Sequence, residues 1–322
     1  MSMLSAEVTE WGQSPKSVNV PPPAAPTDDN ETEIQVLAAG LHQLVRSRAA
    51  GKHYTATELP HVPGVDGTGI NVSTGKKVYF TLLSTKRGSY SEIVNAPSKA
   101  IVELPEGVDP VVAAAMVNPV MATWMALKKR VDWSRLEGKP WKVFINGVTS
   151  ASGKIGIKVA RHMGASAVVG SARNAEALSK LDLDASIVLN EEPGKTDFSA
   201  AADADIVLDF LYGPWPSAFL LSPSTASAKN AITWINIGSM AGDMADISAM
   251  GLRRRDVTLR GSGPGAWNPM ELGTETLGML KVLVGQSDEG LKKVKIEDIE
   301  EGWGYKGRER VVFVFGEESA KI

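Results

Sequence analysis

Along the first hundred positions, apolar and polar residues alternate in short runs. Glu33 to Leu37 has the period of a half-buried strand, and Ile70 to Ser73, Lys77 to Phe80 and Ser91 to Val94 repeat the theme, with glycine and proline between them. The first residues, to about position 115, therefore predict a compact, mostly β unit. Ahead of it, the stretch to about position 30 carries Pro21, Pro22, Pro23 and Pro26 and then Asp28, Asp29 and Asn30, which predicts loop or turn. Past position 140 the pattern changes. Val143, Phe144 and Ile145 form an unbroken apolar run suited to a strand buried on both faces, and Gly156, Val159, Ala160 and Met163 then fall at helical spacing. Further runs at Ala167–Gly170, Ser186–Leu189, Ile206–Asp209, Ile232–Ile237 and Val257–Arg260 complete six strands. That alternation predicts an α/β unit with a doubly wound parallel sheet and a ligand crevice at the strands' carboxyl ends.

Between the two units, Ala113 to Leu127 is rich in alanine and methionine and contains Pro119, predicting two helices or one kinked helix. Gly273 to Leu283 and Lys295 to Trp303 read as helices. Val311 to Phe315 reads as a strand without an α/β partner, expected to return to the first unit.

Composition removes several classes of function. A chain of 322 residues with net charge −3 accommodates two domains and lacks the basic surface that nucleic acid or an anionic membrane calls for. No apolar run reads as a membrane span and Met1 to Glu7 does not read as a secretory signal, so a cytoplasmic location and a small-molecule partner are expected. Cysteine is absent, which excludes disulfides, thiolate catalysis and cysteine-ligated zinc or iron–sulfur clusters. The four histidines, His42, His53, His61 and His162, show no metal-binding helix spacing, and no metal site is predicted.

Candidate chemistry gathers behind the first strand of the α/β unit. A turn at Gly147, small residues at Ser150, Ala151 and Ser152, and Gly153, Lys154 and Ile155 at the helix start let backbone N–H groups and the helix dipole meet a pyrophosphate. At the end of the second strand, Ser171, Arg173 and Asn174 stand where a dinucleotide's ribose would lie, with no carboxylate before Glu176. A guanidinium there suits a 2′-phosphate, so the expected cofactor is NADPH. Glu176 follows Asn174, which reads as a helix cap. Asp209, at the end of the fourth strand, comes too late to be the ribose-binding acid. Phe210, Leu211 and Tyr212, with Ile237, Gly238, Ser239 and Met240, would flank the nicotinamide half.

Several further segments agree in order with one family. Pro63, Gly64, Asp66 and Gly69 match a Pro-Gly-x-Asp-x-x-Gly segment. Gly75 to Tyr79 is similar to a Gly-Asp-x-Val strand, Gly88 to Glu92 to Gly-x-Tyr-Ala-Glu, and Pro105 to Ala115 to the lead into interdomain helices. With Ile237–Gly242 and Gly261–Gly265, the chain resembles the medium-chain dehydrogenases/reductases, in the zinc-lacking branch of the NADPH:quinone oxidoreductases. The resemblance implies a discontinuous GroES-like β domain (1–118 and 264–322), a Rossmann domain (119–263), a homodimer, and an active site in the interdomain cleft. It implies hydride transfer from NADPH to quinones or α,β-unsaturated carbonyl compounds. Carbonyl or imine reduction on the same scaffold and NADPH binding without catalysis stay open. Tyr54 matches a cleft tyrosine that would supply a proton or hold an enolate, with His42 and His53 as rivals. His42, Met121 and Trp267 would line the substrate side. Two positions depart from the family. Ala38 to Arg46 replaces an Asn-Pro segment, and Asn190 replaces a tyrosine that can touch the extra phosphate.

Overall fold

The computed structural model describes residues 2–316 except Tyr54, Thr55, Ser84, Lys86, Pro264 and Pro269. Its contacts divide the chain into two units, Met1–Asn118 with Gly273–Ile322, and Pro119–Leu272. In the first unit the chain forms β1 (Met3–Glu7), β2 (Lys16–Val20), β3 (Glu31–Gly40), α1 (Gln43–Ala49), β4 (Asp66–Asn71), β5 (Lys77–Thr81), β6 (Ile93–Pro97) and β7 (Ile101–Glu103). α2 (Pro110–Arg130) runs across the boundary. The second unit contains β8 (Lys142–Asn146), α3 (Ala151–His162), β9 (Ala167–Ala172), α4 (Ala175–Ser179), β10 (Ala185–Val188), β11 (Ile206–Asp209), α5 (Trp215–Leu221), β12 (Ile232–Asn236), α6 (Ala249–Arg254) and β13 (Val257–Gly261). α7 (Met270–Lys281), β14 (Leu291–Lys295), α8 (Ile299–Gly304) and β15 (Arg310–Val314) follow.

The loop expected over the first thirty residues holds for 21–30, where the prolines lie, and is overturned ahead of them by β1 and β2. β1 and β2 pair antiparallel from Met3 with Val20 to Glu7 with Lys16. β1 is held by distant partners, since Ala6 N–H donates to the Tyr90 carbonyl at 2.8 Å and Leu4 N–H to Glu92 Oε2 at 2.7 Å. No local pattern announces such contacts. Among the described residues, the main sheet of this unit has seven strands in the order β14-β15-β3-β4-β5-β7, with β6 also on β3. Ile34, Val36, Phe80, Tyr90 and Phe313 fill its core. Burying each such side chain is worth about 1.5–3 kcal/mol, which is what holds strands so distant in sequence together. β15 pairs antiparallel with β3, as expected of a returning strand, while β14 goes unseen in the sequence because three of its five residues are lysines.

α2 is one continuous helix with Pro119 inside it, where two helices or a kinked one are the sequence's options. Over 21 residues its mean hydropathy reaches 1.5 in an 18-residue window, so by length and composition it could cross a membrane, contrary to the expectation that no run would. The window is 78% buried within the protein, which marks a core helix. In the first unit α2 packs so closely on β3 that a Cβ at Gly40 would lie 2.4 Å from the Ala114 carbonyl oxygen.

In the second unit β10-β9-β8-β11-β12-β13 form a parallel sheet. The winding reverses between β8 and β11, which creates a crevice at their carboxyl ends. Phe144, Phe198, Phe219 and Trp234 pack in a contiguous aromatic cluster on one face. The return to the first unit comes at Gly273, later than the 264 read from the sequence. Residues between stay with the second unit through Arg130 donating to the Ala266 carbonyl at 2.8 Å and a Lys129–Glu271 pair at 3.3 Å.

Candidate active site

The turn behind β8 is built by three linked devices. Gly147 sits at φ +90°, and its N–H and that of Val148 donate to the Ser171 carbonyl at 3.1 and 2.9 Å. Ser150 caps α3, its hydroxyl accepting from Gly153 N–H at 3.1 Å and donating to the Gly147 carbonyl at 2.9 Å. Gly153 has no room for a side chain, since a Cβ would come within 2.6 Å of the Gly147 oxygen and 2.7 Å of Val148 Cα. The turn therefore closes directly onto the helix. The N–H groups of Ala151 and Ser152, in the first helical turn, have no intrahelical acceptor and meet the positive end of the dipole. Lys154 is exposed beside them, whereas the Ile155 side chain is 4% exposed and belongs to the core, so only its backbone is available to a ligand.

At the end of β9 the expected residues separate into two roles. Arg173 is exposed and has no ion pair among the described residues. Asn174 Oδ1 accepts from Ala177 N–H at 2.9 Å, which caps α4 as the sequence suggests, with Glu176 in the first turn paired to Lys180 at 2.6 Å. Ser171 is fully buried and donates its hydroxyl to Asn146 Oδ1 at 2.7 Å. It props the turn from beneath, and its hydroxyl is not free for a ribose phosphate.

The loops after β11 and β12 are zipped together. Met240 N–H donates to the Phe210 carbonyl at 3.2 Å, Ala241 N–H to the Leu211 carbonyl at 2.8 Å, and Tyr212 bridges to Gly242. Gly238 N–H donates to the Asp209 carbonyl, and a Cβ there would lie 2.9 Å from the Phe210 oxygen. Tyr212 has φ +57°, the left-handed region that a non-glycine residue enters only when its surroundings hold it. Ile237, Gly238 and Ser239 lie on the backbone of this zipper. Met240 points outward at 73% exposure and Phe210 inward at 5%. Beneath them Asp209 is fully buried, which pushes its carboxyl above the usual range against four opposing N–H donors. The sequence reading does not reveal this role. Only the pairing of β8, β11 and β12 brings its donors together.

In the first unit, His42 is 7% exposed and its Nε2 lies 3.1 Å from Asp66 Oδ1. Tyr79 donates its hydroxyl to Asp66 Oδ2 at 2.7 Å, and burial together with that carboxylate holds the phenol well above its ordinary pKa. His42 is thereby pinned by one ring nitrogen, while Nδ1 is buried without a partner among the described residues. Tyr79 was missed as a partner because strand pairing alone, Thr68 opposite Tyr79, brings it beside β4. His53 is half-buried, its pKa lowered by burial and then by Arg48. Tyr54 lies outside the described residues. In the second unit Met121 is half-buried, and Trp267 is 9% exposed with its Nε1 lacking a partner among the described residues. Among the described residues no group of three histidine, aspartate or glutamate side chains could hold a metal ion.

No protein-family model matches the chain. A probable NADPH-dependent quinone reductase from Emericella nidulans is 29% identical over 327 aligned positions, covering 87% of this chain and 90% of that protein. The quinone oxidoreductase of Thermus thermophilus, solved also with NADPH, superposes with a TM-score of 0.71 at 22% identity, over 97% of this chain and all of the other. A Bacillus subtilis protein solved with NAD bound gives a TM-score of 0.70 at 18% identity over 98% of this chain and 99% of its own. Solved proteins of this fold thus include one with NADPH and one with NAD bound.

Proposed function

We propose that this chain, a member of the quinone oxidoreductase-like branch of the medium-chain dehydrogenases/reductases, is an NADPH-dependent oxidoreductase that reduces quinones or α,β-unsaturated carbonyl compounds without zinc. The observation that supports the reading is the pairing of a Ser150-capped turn, closed by small residues and a Gly153 with no room for a side chain, with an exposed Arg173 that has no ion pair among the described residues, one strand away. NADPH would supply the hydride. Ala151 and Ser152 N–H groups would bind its pyrophosphate, and the Arg173 guanidinium its 2′-phosphate. The zipped loops carrying Tyr212 and Met240 would orient the nicotinamide end. With no cysteine in the chain, the superfamily's cysteine-held zinc cannot polarise a substrate oxygen, which favours acceptors already poor in electrons. Tyr54 would hydrogen-bond the developing oxyanion or deliver the proton. A second copy of the chain would complete a homodimer.

The test is anaerobic NADPH consumption against a panel of quinones, enones, aldehydes and cyclic imines. Turnover on quinones or enones is expected, and Tyr54→Phe should lower kcat on enones by about a hundredfold while leaving NADPH affinity near normal. Tight NADPH binding with no turnover on any member of the panel would overturn the reading in favour of a binding protein.

A further inference from the structure

Asp209 is a buried carboxylate that hydride and proton transfer leave unused. Its Oδ1 accepts from Asn146 Nδ2 at 2.9 Å, Leu211 N–H at 3.0 Å and Tyr212 N–H at 2.9 Å, and its Oδ2 from Trp234 Nε1 at 2.9 Å. Asn146 accepts in turn from the Ser171 hydroxyl at 2.7 Å, and the Ser171 carbonyl receives the Gly147 and Val148 N–H groups. A continuous hydrogen-bonded rail therefore crosses β9, β8, β11 and β12 at their carboxyl ends.

One end of the rail fixes the turn before α3. The other fixes Leu211 and Tyr212, including the left-handed conformation that lets residues 210–212 zip to 240–242. A buried carboxylate is costly unless its lone pairs are occupied, and here the donors come from β8, from the loop after β11 and from β12. We propose that Asp209 is a positioning residue that sets the spacing between the pyrophosphate turn and the nicotinamide-side loops, so that the site grips a dinucleotide as a whole and not by its adenosine half alone. The inference rests on the NADPH reading above and deepens it.

Asp209→Asn is nearly isosteric but must turn an NH2 group toward one of the four donors, and the indole of Trp234 is alone on its oxygen. Calorimetric titration with NADPH and with the fragment 2′-phospho-AMP separates the two halves of the site. The expected result for Asp209→Asn is NADPH affinity about tenfold weaker with fragment affinity within about twofold of normal. The double variant with Trp234→Phe, which removes the opposing N–H, should recover part of the loss. Equal weakening of both ligands would mean a merely structural role and overturn the proposal, as would unchanged NADPH affinity. Should Asp209→Asn fail to fold, Trp234→Phe alone carries the test, with about threefold selective weakening of NADPH expected and no selective loss overturning it. An unmutated protein that binds neither ligand would refute the NADPH reading itself.

Discussion

Arg173 and His61 show how much one side chain's surroundings decide. Arg173 follows β9, exposed and without an ion pair among the described residues, and the next carboxylate in sequence, Glu176, is engaged by Lys180. A hydrogen bond to a charged partner is worth roughly 1.5–3 kcal/mol, so Arg173→Ala should weaken NADPH by roughly ten- to a hundredfold and leave NADH nearly untouched. Titration of both cofactors at one ionic strength checks this, and equal affinities in the unmutated protein would refute it. His61 is 4% exposed, its ring tilted against that of Trp11 with centroids 5.6 Å apart, and burial aided by the Arg48 charge pulls its pKa down to about 4. The unfolded chain takes up its proton near 6.5 while the folded chain does not, so stability falls as pH drops from 6.5 through about 4. The full loss from this group is on the order of 3 kcal/mol. In His61→Gln the urea midpoint should decline less steeply across that window.

At the scale of elements, α3 and its turn form one device. Ser150 and Gly153 are legible in the sequence as small residues of a turn before a helix, which has a local cause, whereas the cap that Ser150 makes is seen only in the structure. Gly153→Ala would push a methyl group against the backbone of Gly147 and Val148, so the turn must open. We expect NADPH binding at least about tenfold weaker with α3 retained, read by titration beside circular dichroism, whereas Ser150→Ala should cost about 1 kcal/mol of stability. β1, β2 and β14 illustrate the opposite case. Their residues carry weak or charged patterns, and they become strands only because Tyr90, Glu92 and β15 offer partners far along the chain. α2 is likewise ambiguous by itself, since Pro119 argues for a break and burial on its packed faces keeps it whole.

For the molecule as a whole, the missing cysteines predict that dialysis against a strong chelator leaves NADPH oxidation unchanged, and a loss restored by zinc would sink the zinc-free mechanism. The order of apolar runs, the glycine turn behind β8 and the guanidinium at the end of β9 were determined by the sequence itself, because each rests on residues within a few positions of one another. A β-rich unit and an α/β unit follow from them directly, as does the expectation of an NADPH cradle. Tertiary structure alone decided which groups remain free to act. It buried Ser171 and Ile155, pinned His42 to Asp66 and Tyr79, and joined Ser171, Asn146, Asp209 and Trp234 into one rail. The reason is physical. Hydrogen-bond partners and burial are set by which strands lie side by side, and strand neighbours more than sixty residues apart leave no trace in the local pattern on which a sequence reading depends.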